Sequence, residues 1–235
     1  MTSEMLSARL TECGIPHDAE LPAKLLRYHE LLLDWNTRMD LTAVTDEAEM
    51  IDKHYVDSLS ALAVPGLIPE SGSLIDVGTG AGFPGIVAKL YKPELELTLM
   101  EPTGKRVEFL RWLCGELGIE AEFAKERAEE AARKGWREAF DVATARGVTA
   151  MNKLSEYCLP LVKVGGRFIA MKADAAEETA EAAGAIKKLG GKLAETRSFT
   201  LPDTSARTLI FVDKISQTPS VYPRNGGKIA KSPLK

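Results

Sequence analysis

The sequence predicts an α/β protein: a doubly wound, seven-stranded, mostly parallel sheet with the last strand antiparallel, plus an N-terminal helical cap. Three observations predict it. From Ser73 onward, short apolar β-type runs alternate with helical stretches, the pattern of a parallel sheet covered on both faces. One of those runs passes straight into a glycine-rich turn, LIDVGTGAGFPG, from Leu74 to Gly85. Before about Pro69 the apolar spacing is helical instead.

Size and composition fit this architecture. A chain of 235 residues, 45% hydrophobic with a formal net charge of −4, suits one ordinary α/β domain with a small extension and excludes wholesale disorder. No apolar run approaches the roughly 18 residues of a membrane span. The opening MTSEMLSARL lacks the apolar core and cleavage site of a signal peptide. Cys13, Cys114 and Cys158 stand far apart without a CxxC, which points to reduced thiols and a cytoplasmic protein.

The cap is expected over residues 1–70. Leu21, Leu25, Leu26, Leu32 and Leu33 recur at helical spacing, with Pro22 where a first turn tolerates it. A second helix is marked by Met50, Ile51, His54, Tyr55, Leu59 and Leu62 and ends before Pro65-Gly66. The intervening WNTRMDLTAVTD has no helical period. The sheet-bearing unit then spans 71–215. Strands are expected at about 73–77, 96–101, 120–125, 140–145, 167–172, 193–199 and 208–214, with helices at about 84–91, 104–118, 127–134, 150–162 and 175–190. Only LPDTSAR joins the last two strands. That is too short for a parallel crossover, so they pair antiparallel.

Residues 216–235 form a tail. From Lys214 to the end there are five basic residues and no acid, against a net of −9 for the rest of the chain. Rich in Pro, Gly and Ser, the tail reads as extended and loosely ordered. It is either a local basic patch for nucleic acid or a solubilising terminus.

The glycine loop carries the ligand argument. Gly78 and Gly80 let the backbone turn tightly and approach a ligand, at the sheet edge where open α/β proteins bind them. A dinucleotide fingerprint would need glycine at position 83, where Phe83 stands, and there is no G-x-x-x-x-G-K-[ST] phosphate loop. The second strand ends in Glu101, about twenty residues on, where a carboxylate accepts both ribose hydroxyls of an adenosine. An adenosine ligand with little or no phosphate follows, and S-adenosylmethionine is the candidate. Asp76 adds negative charge near that ligand's ammonium and sulfonium.

Four segments, IDVGTGAGFPG, MEPTGKRVEFL, FDVATARGV and the tail's YPRNGGKIAKSPL, resemble the ribosomal RNA small-subunit methyltransferase G family, also called glucose-inhibited division protein B. WNTRMDLTAV and DKHYVDSL resemble that family's cap motifs, so the likeness covers nearly the whole chain; Asp40 departs from the family's usual Asn in WNxxxNLT. The resemblance implies a class I methyltransferase with a Rossmann-like fold. Its implied reaction is methylation of N7 of a guanine (guanine 527) in the 530 loop of 16S ribosomal RNA. The implied partner is that RNA, free or in the small ribosomal subunit or an assembly intermediate, with no metal and no membrane. Carried over by residue, the cofactor contacts are Gly78, Phe83, Glu101, Ala128, Glu129 and Arg146, with Ala128 and Glu129 at the adenine.

Guanine N7 carries a lone pair and no proton, so this chemistry is positioning and electrostatics. The sequence agrees: after the fourth strand there is neither the [DN]PP[YF] segment of exocyclic-amine methylation nor the Pro-Cys or Thr-Cys of carbon-5 methylation. Arg146, at the carboxyl edge of that strand, is the catalytic candidate, to stack on or hydrogen-bond a guanine or clamp a phosphate. Lys172 and Arg207 fall at the same edge, although Lys and Arg also commonly flank strands as solubilising residues. With Arg224, Lys228 and Lys231 of the tail they form the expected RNA-binding set. Lys105 and Arg106 read as a solvated helix face. His17, His29 and His54 have no metal-type spacing; His54, Trp35 and Tyr55 read as packed cap residues, and Cys114 and Cys158 as small core residues. Two other readings stay open: a methyltransferase acting on a small molecule or a protein, and a non-catalytic adenosine-binding or RNA-scaffold protein.

Overall fold

Thr2 opens the first helix, α1 (Ser3–Glu12), by accepting the Met5 N–H at 3.3 Å. Leu6 and Leu10, one turn apart, form its fully buried face. The sequence reading passed over this helix, and the Thr2 cap with the Leu6/Leu10 pair is the signal for it. In α2 (Leu21–Asn36) Pro22 sits in the first turn, and Leu21, Leu25, Tyr28, Leu31 and Leu32 are buried at the expected spacing. Asn36 organises the following loop, its Oδ1 accepting the N–H groups of Leu41 and Thr42 at 2.9 and 3.0 Å. Asp46 then caps a helical run through α3 (Glu47–Met50), a π-helical turn (Ile51–Val56) and α4 (Asp57–Leu62). A π turn widens the helix and re-aims the residues it carries.

The computed structural model describes residues 1–66 and 68–235. After the cap come β1 (Gly72–Val77), α5 (Gly85–Tyr91), β2 (Leu95–Met100), α6 (Gly104–Leu117), β3 (Glu122–Ala124) and α7 (Ala128–Ala131). They are followed by β4 (Phe140–Arg146), α8 (Met151–Cys158), β5 (Val162–Lys172), α9 (Ala176–Glu181) and α10 (Ala183–Lys188). Last come β6 (Gly191–Thr200), β7 (Ala206–Lys214) and α11 (Gly226–Lys231). The seven strands lie in the order β3-β2-β1-β4-β5-β7-β6. Neighbours up to β5 pair in parallel, whereas β7 is antiparallel to both β5 and β6. This is the expected mixed sheet. The chain leaves β1 towards β2 and later resumes on β1's other side at β4, so the switch point of the order lies at the carboxyl ends of β1 and β4.

Successive strand residues serve two cores. Leu74, Leu97, Leu99, Val142, Ile169 and Phe211 face the cap with α5 and α6. Ile75, Met100, Ala143, Phe168, Ala170 and Val212 face α7, α8 and α10. The alternation of period two thus assigns one face to the cap and the other to the later helices.

Three helices are shorter than expected. The stretch read as 127–134 is helical only over Ala128–Ala131 before turns lead through Gly135; 150–162 ends at Cys158 in a single 3₁₀ turn containing Pro160; 175–190 breaks at Ala182 into α9 and α10. The larger correction concerns the tail, which is ordered. Arg224 pairs with the fully buried Glu156 of α8, with Nη2 2.6 Å from Oε2 and Nε 2.9 Å from Oε1. Arg137 donates to the carbonyls of Thr218 and Tyr222 at 2.5 and 2.8 Å, and Ile229 and Leu234 are buried. Composition describes what a segment does alone, but here long-range partners hold it. Lys214, counted above with the basic tail, is itself buried, donating to the Leu159 carbonyl and the Thr218 hydroxyl at 2.7 Å each.

Candidate functional site

The glycine loop follows β1 at the switch point. Gly78 and Thr79 donate to the Met100 carbonyl at 2.9 and 3.2 Å, which lays the turn over the end of β2. Gly80 has φ +60°, and a Cβ there would have no neighbour closer than 4.0 Å, so that side of the loop opens outward. Gly82, at φ +106°, faces the other way: a Cβ there would lie 2.7 Å from the Tyr28 hydroxyl. Tyr28 in turn donates to the Ala81 carbonyl at 2.6 Å. The cap therefore holds the loop from one side and leaves the other to a ligand.

Asp76 does not face that open side. Fully buried, it accepts from the Thr79 hydroxyl and the Gly85 N–H through Oδ2 (2.6 and 2.9 Å) and from the Thr144 hydroxyl through Oδ1 (3.1 Å). Burial raises its pKa against the pull of those donors. It braces the turn. Phe83 is likewise engaged, its ring stacked between Tyr28 at 4.9 Å and His54 at 4.6 Å, so only its backbone remains for a ligand.

Glu101 and Glu129 stand differently. Glu101, 3% exposed, accepts the Thr103 N–H through Oε1 at 2.9 Å, while Oε2 has only Arg106 at 3.8 Å. Glu129, 6% exposed in α7, accepts no hydrogen bond and joins no ion pair among the described residues. Ala128 beside it is the first residue of that helix, whose N–H has no intrahelical acceptor. Neither Glu101 Oε2 nor the Glu129 oxygens are fully buried without a partner, so these are open acceptors that the donors of a ligand can reach.

The carboxyl ends of β4 and β5 border a cleft of about 540 Å³ lined by Lys53, His54, Asp57, Arg146, Lys172 and Arg207 among others. Here the cations are paired. Arg146 donates through Nη1 to the Lys53 carbonyl (2.9 Å) and to Asp57 Oδ2 (3.2 Å), and lies 5.1 Å over the Phe83 ring. Arg207 donates to the other oxygen of Asp57 at 3.0 Å. Lys172 bonds the Thr149 carbonyl at 2.7 Å and Glu178 at 2.9 Å. The π turn makes this possible by bringing the Lys53 carbonyl, His54 and Asp57 to one place. Burial raises the pKa of Asp57 while the two arginines oppose it. Burial, reinforced by Arg146, lowers His54 to about 4, so it is neutral and packed, as its sequence setting suggested.

Sequence reasoning thus missed Asp57, Tyr28 and Glu156, each of which acts through a partner distant in the chain. Of the tail cations, Lys228 and Lys231 are exposed without ion pairs among the described residues, whereas Arg224 is committed to Glu156. Lys105 is exposed, and Arg106 half-faces Glu101. Burial pushes the Cys114 thiol up to about 12 and that of Cys158 well above its ordinary value. No group of three or more potential metal ligands is found among the described residues, nor a helix long and apolar enough to cross a membrane. Larger clefts lie elsewhere: about 900 Å³ at the opposite end of the sheet and about 940 Å³ between the cap and β6. Neither contains the residues singled out above.

Comparison with known proteins agrees over most of the chain. The family model described as rRNA small subunit methyltransferase G matches residues 22–210. The chain is similar to the ribosomal RNA small subunit methyltransferase G of Alkaliphilus metalliredigens, 47% identical over 95% of each chain. It is 46% identical to the same-named protein of Geobacillus thermodenitrificans over the full length of both. Among solved structures, a putative methyltransferase from Bacillus halodurans aligns with a TM-score of 0.54 at 14% identity, covering 68% of this chain and all of that one. The fold is that of class I methyltransferases.

Proposed function

The chain belongs to the rRNA small subunit methyltransferase G family, and from that premise we propose that it transfers a methyl group from S-adenosylmethionine to N7 of guanine 527, in the 530 loop of 16S ribosomal RNA. The observation that carries the reading is the pair of carboxylates, Glu101 and Glu129, which keep acceptor capacity that the described residues leave open. An adenosine offers the matching donors, two ribose hydroxyls and a 6-amino group. Gly80 would admit the ligand's backbone-facing side, while Val148 stands against Gly78, 2.9 Å from where a Cβ would be, with Glu101 on the ribose and Ala128 and Glu129 on the adenine. When bound, S-adenosylmethionine supplies an electrophilic methyl group on a positively charged sulfur.

Guanine N7 needs no proton removed, and the cleft agrees with such an acceptor. Asp57 and Glu178 are held by cations, and His54 with a pKa of about 4 is a weak base. Arg146 presents a planar fork to the base or to a neighbouring phosphate. Methylation at N7 leaves the guanine positively charged. Asp57, between Arg146 and Arg207, keeps that end of the cleft from being purely cationic when this charge develops. Lys228 and Lys231, the unpaired cations of α11, are the natural phosphate contacts of the tail, and the partner is 16S ribosomal RNA in the small subunit or an assembly intermediate.

The test is transfer of a labelled methyl group to small-subunit particles from cells lacking this gene, with the label mapped by mass spectrometry. Label recovered as N7-methylguanine at the expected position supports the reading. Label on an exocyclic amine, on another nucleotide, or only in protein or small molecules overturns it.

A further inference from the structure

We infer that the C-terminal segment is a working part of the cofactor cleft, with Gly226 a positioning residue that sets the Glu129 carboxylate at the adenine end. The inference rests on the cofactor reading above and deepens it. Expected from composition to be a loose RNA-binding tail, the segment instead lies against α7.

A Cβ built on Gly226 would overlap Glu129 Oε1 and lie 3.3 Å from its Cδ; the three atoms nearest to it all belong to Glu129. Gly226 is not among the glycines with positive φ, so its backbone would accept any L residue. What a side chain there would meet first is the Glu129 carboxylate. Among the described residues Glu129 has no hydrogen bond or ion pair, so packing holds it in place, and the Gly226 backbone supplies one wall of that packing.

The wall is firmly anchored. The Arg224 backbone N–H donates to Glu156 Oε1 at 2.8 Å, in addition to the guanidinium bonds to the same carboxylate. The Pro223 carbonyl accepts from Arg133 at 2.9 Å. Asn225 caps α11 by accepting the Lys228 N–H at 2.8 Å, and Ile229 is fully buried. None of these contacts requires RNA. A carboxylate fixed by shape with its acceptors free suits a neutral N–H donor such as the adenine 6-amino group, because no competing cation has to be displaced.

The experiment measures binding of S-adenosylhomocysteine and of S-inosylhomocysteine, which carries a carbonyl in place of the amino group, to the full chain. Wild type is expected to prefer the amino ligand by about tenfold or more, because a site built around a donor rejects its absence. Gly226→Ala should lose about tenfold in affinity for the amino ligand and discriminate only about twofold. Its unliganded Tm should stay within about 2 °C of wild type. Gly227→Ala, whose Cβ would meet only Asn225 Oδ1 at an ordinary 3.6 Å, should bind as wild type does. In Glu129→Ala the second substitution should cost nothing further, since the clash it creates is gone.

Wild-type affinity and discrimination in Gly226→Ala would overturn the inference. So would an equal loss in Gly227→Ala, or additive losses in the double variant. If Gly226→Ala does not fold, Glu129→Ala/Gly226→Ala should restore folding, and failure to do so counts against the clash. A wild-type chain that binds neither ligand removes the cofactor reading itself, and this inference with it.

Discussion

The carboxyl edge of the sheet has two halves built on opposite rules. Beside β1, β2 and α7, two carboxylates keep spare acceptors among the described residues: Glu101 Oε2, with only Arg106 at 3.8 Å, and both oxygens of Glu129. Beside β4, β5 and β7, every cation bordering the cleft already has a carboxylate, with Arg146 and Arg207 sharing Asp57 and Lys172 on Glu178. The first half offers acceptors to be matched, which on the proposed function suits one particular small molecule. The second is finished without one and offers oriented groups at little reorganisation cost, which is what a transfer step on a large substrate needs. On the proposed function, specificity for the donor and positioning of the acceptor would then rest on different chemistry.

The largest effect is expected from removing the centre of the paired half. Arg146→Ala should lower turnover by about ten- to a thousandfold with S-adenosylhomocysteine affinity little changed. Because Arg146 is mostly buried and bonded to Asp57, the variant should also lose about 1–2 kcal/mol in denaturant unfolding, Arg207 still holding the carboxylate. Wild-type turnover would remove Arg146 from the reaction and leave Lys172 and Arg207 as candidates. In the unfinished half, Glu101→Ala should weaken cofactor binding by about ten- to a hundredfold, the equivalent of about 1.5–3 kcal/mol in charge-assisted hydrogen bonds. A 2′,3′-dideoxy ligand should bind that variant as well as the normal one does. If the variant still separates the two ligands, the ribose lies elsewhere.

Smaller changes sharpen the contrast. Asp57→Asn keeps the shape but not the charge that aligns both arginines, so kcat should fall about tenfold with cofactor affinity unchanged; a change confined to cofactor affinity would place Asp57 in the other half.

His54 supplies a pH test. Its folded pKa, about 4, lies below the ordinary histidine value of 6.5. Between those values the unfolded chain therefore binds the extra proton, and stability is complete above about 6.5 and is lost as pH falls towards 4. Wild type should lose up to about 3 kcal/mol more than His54→Gln across that window. Parallel stability curves would mean that the ring is not held neutral.

Least of all, Lys228→Ala/Lys231→Ala should weaken RNA substrate use a fewfold and reduce the log–log salt slope by about 1.5–2. An unchanged slope would make α11 a purely structural element.

Legibility in the sequence followed the range of the interactions involved. The sheet, its antiparallel last pairing, the glycine loop and the acid at the end of β2 are local patterns, set by apolar alternation, glycine and chain distance. Glu129 was reached only through resemblance, since nothing in KERAEE separates it from Glu130. Asp57 reads as one more helical acid, because its two arginines come from strands 89 and 150 residues away. The tail failed for the same reason. Its Pro, Gly and Ser content is that of a flexible segment, while the partner that orders it, Glu156, sits in a helix 68 residues earlier. Asp76 is legible as an acid at the strand end, but strand periodicity does not reveal that Thr79, Gly85 and Thr144 surround it.

The reversal of β7 has a consequence for how such a protein can diversify. In a purely parallel sheet, only the loops that leave strands reach the functional edge, and those that enter strands lie at the far end. The β6–β7 hairpin turn, Leu201–Ser205, leaves β6 at the functional edge, and because β7 runs backwards the beginning of β7 lies there as well, so that Arg207 enters the cleft from the start of a strand. That turn already reaches the cap, with Asp203 3.9 Å from Lys53. Hairpin turns accept insertions without disturbing the register of the strands they join. This one is therefore a place where lineages can lengthen or recharge the rim of the cleft, adapting it to a differently shaped substrate while the cofactor half stays as it is.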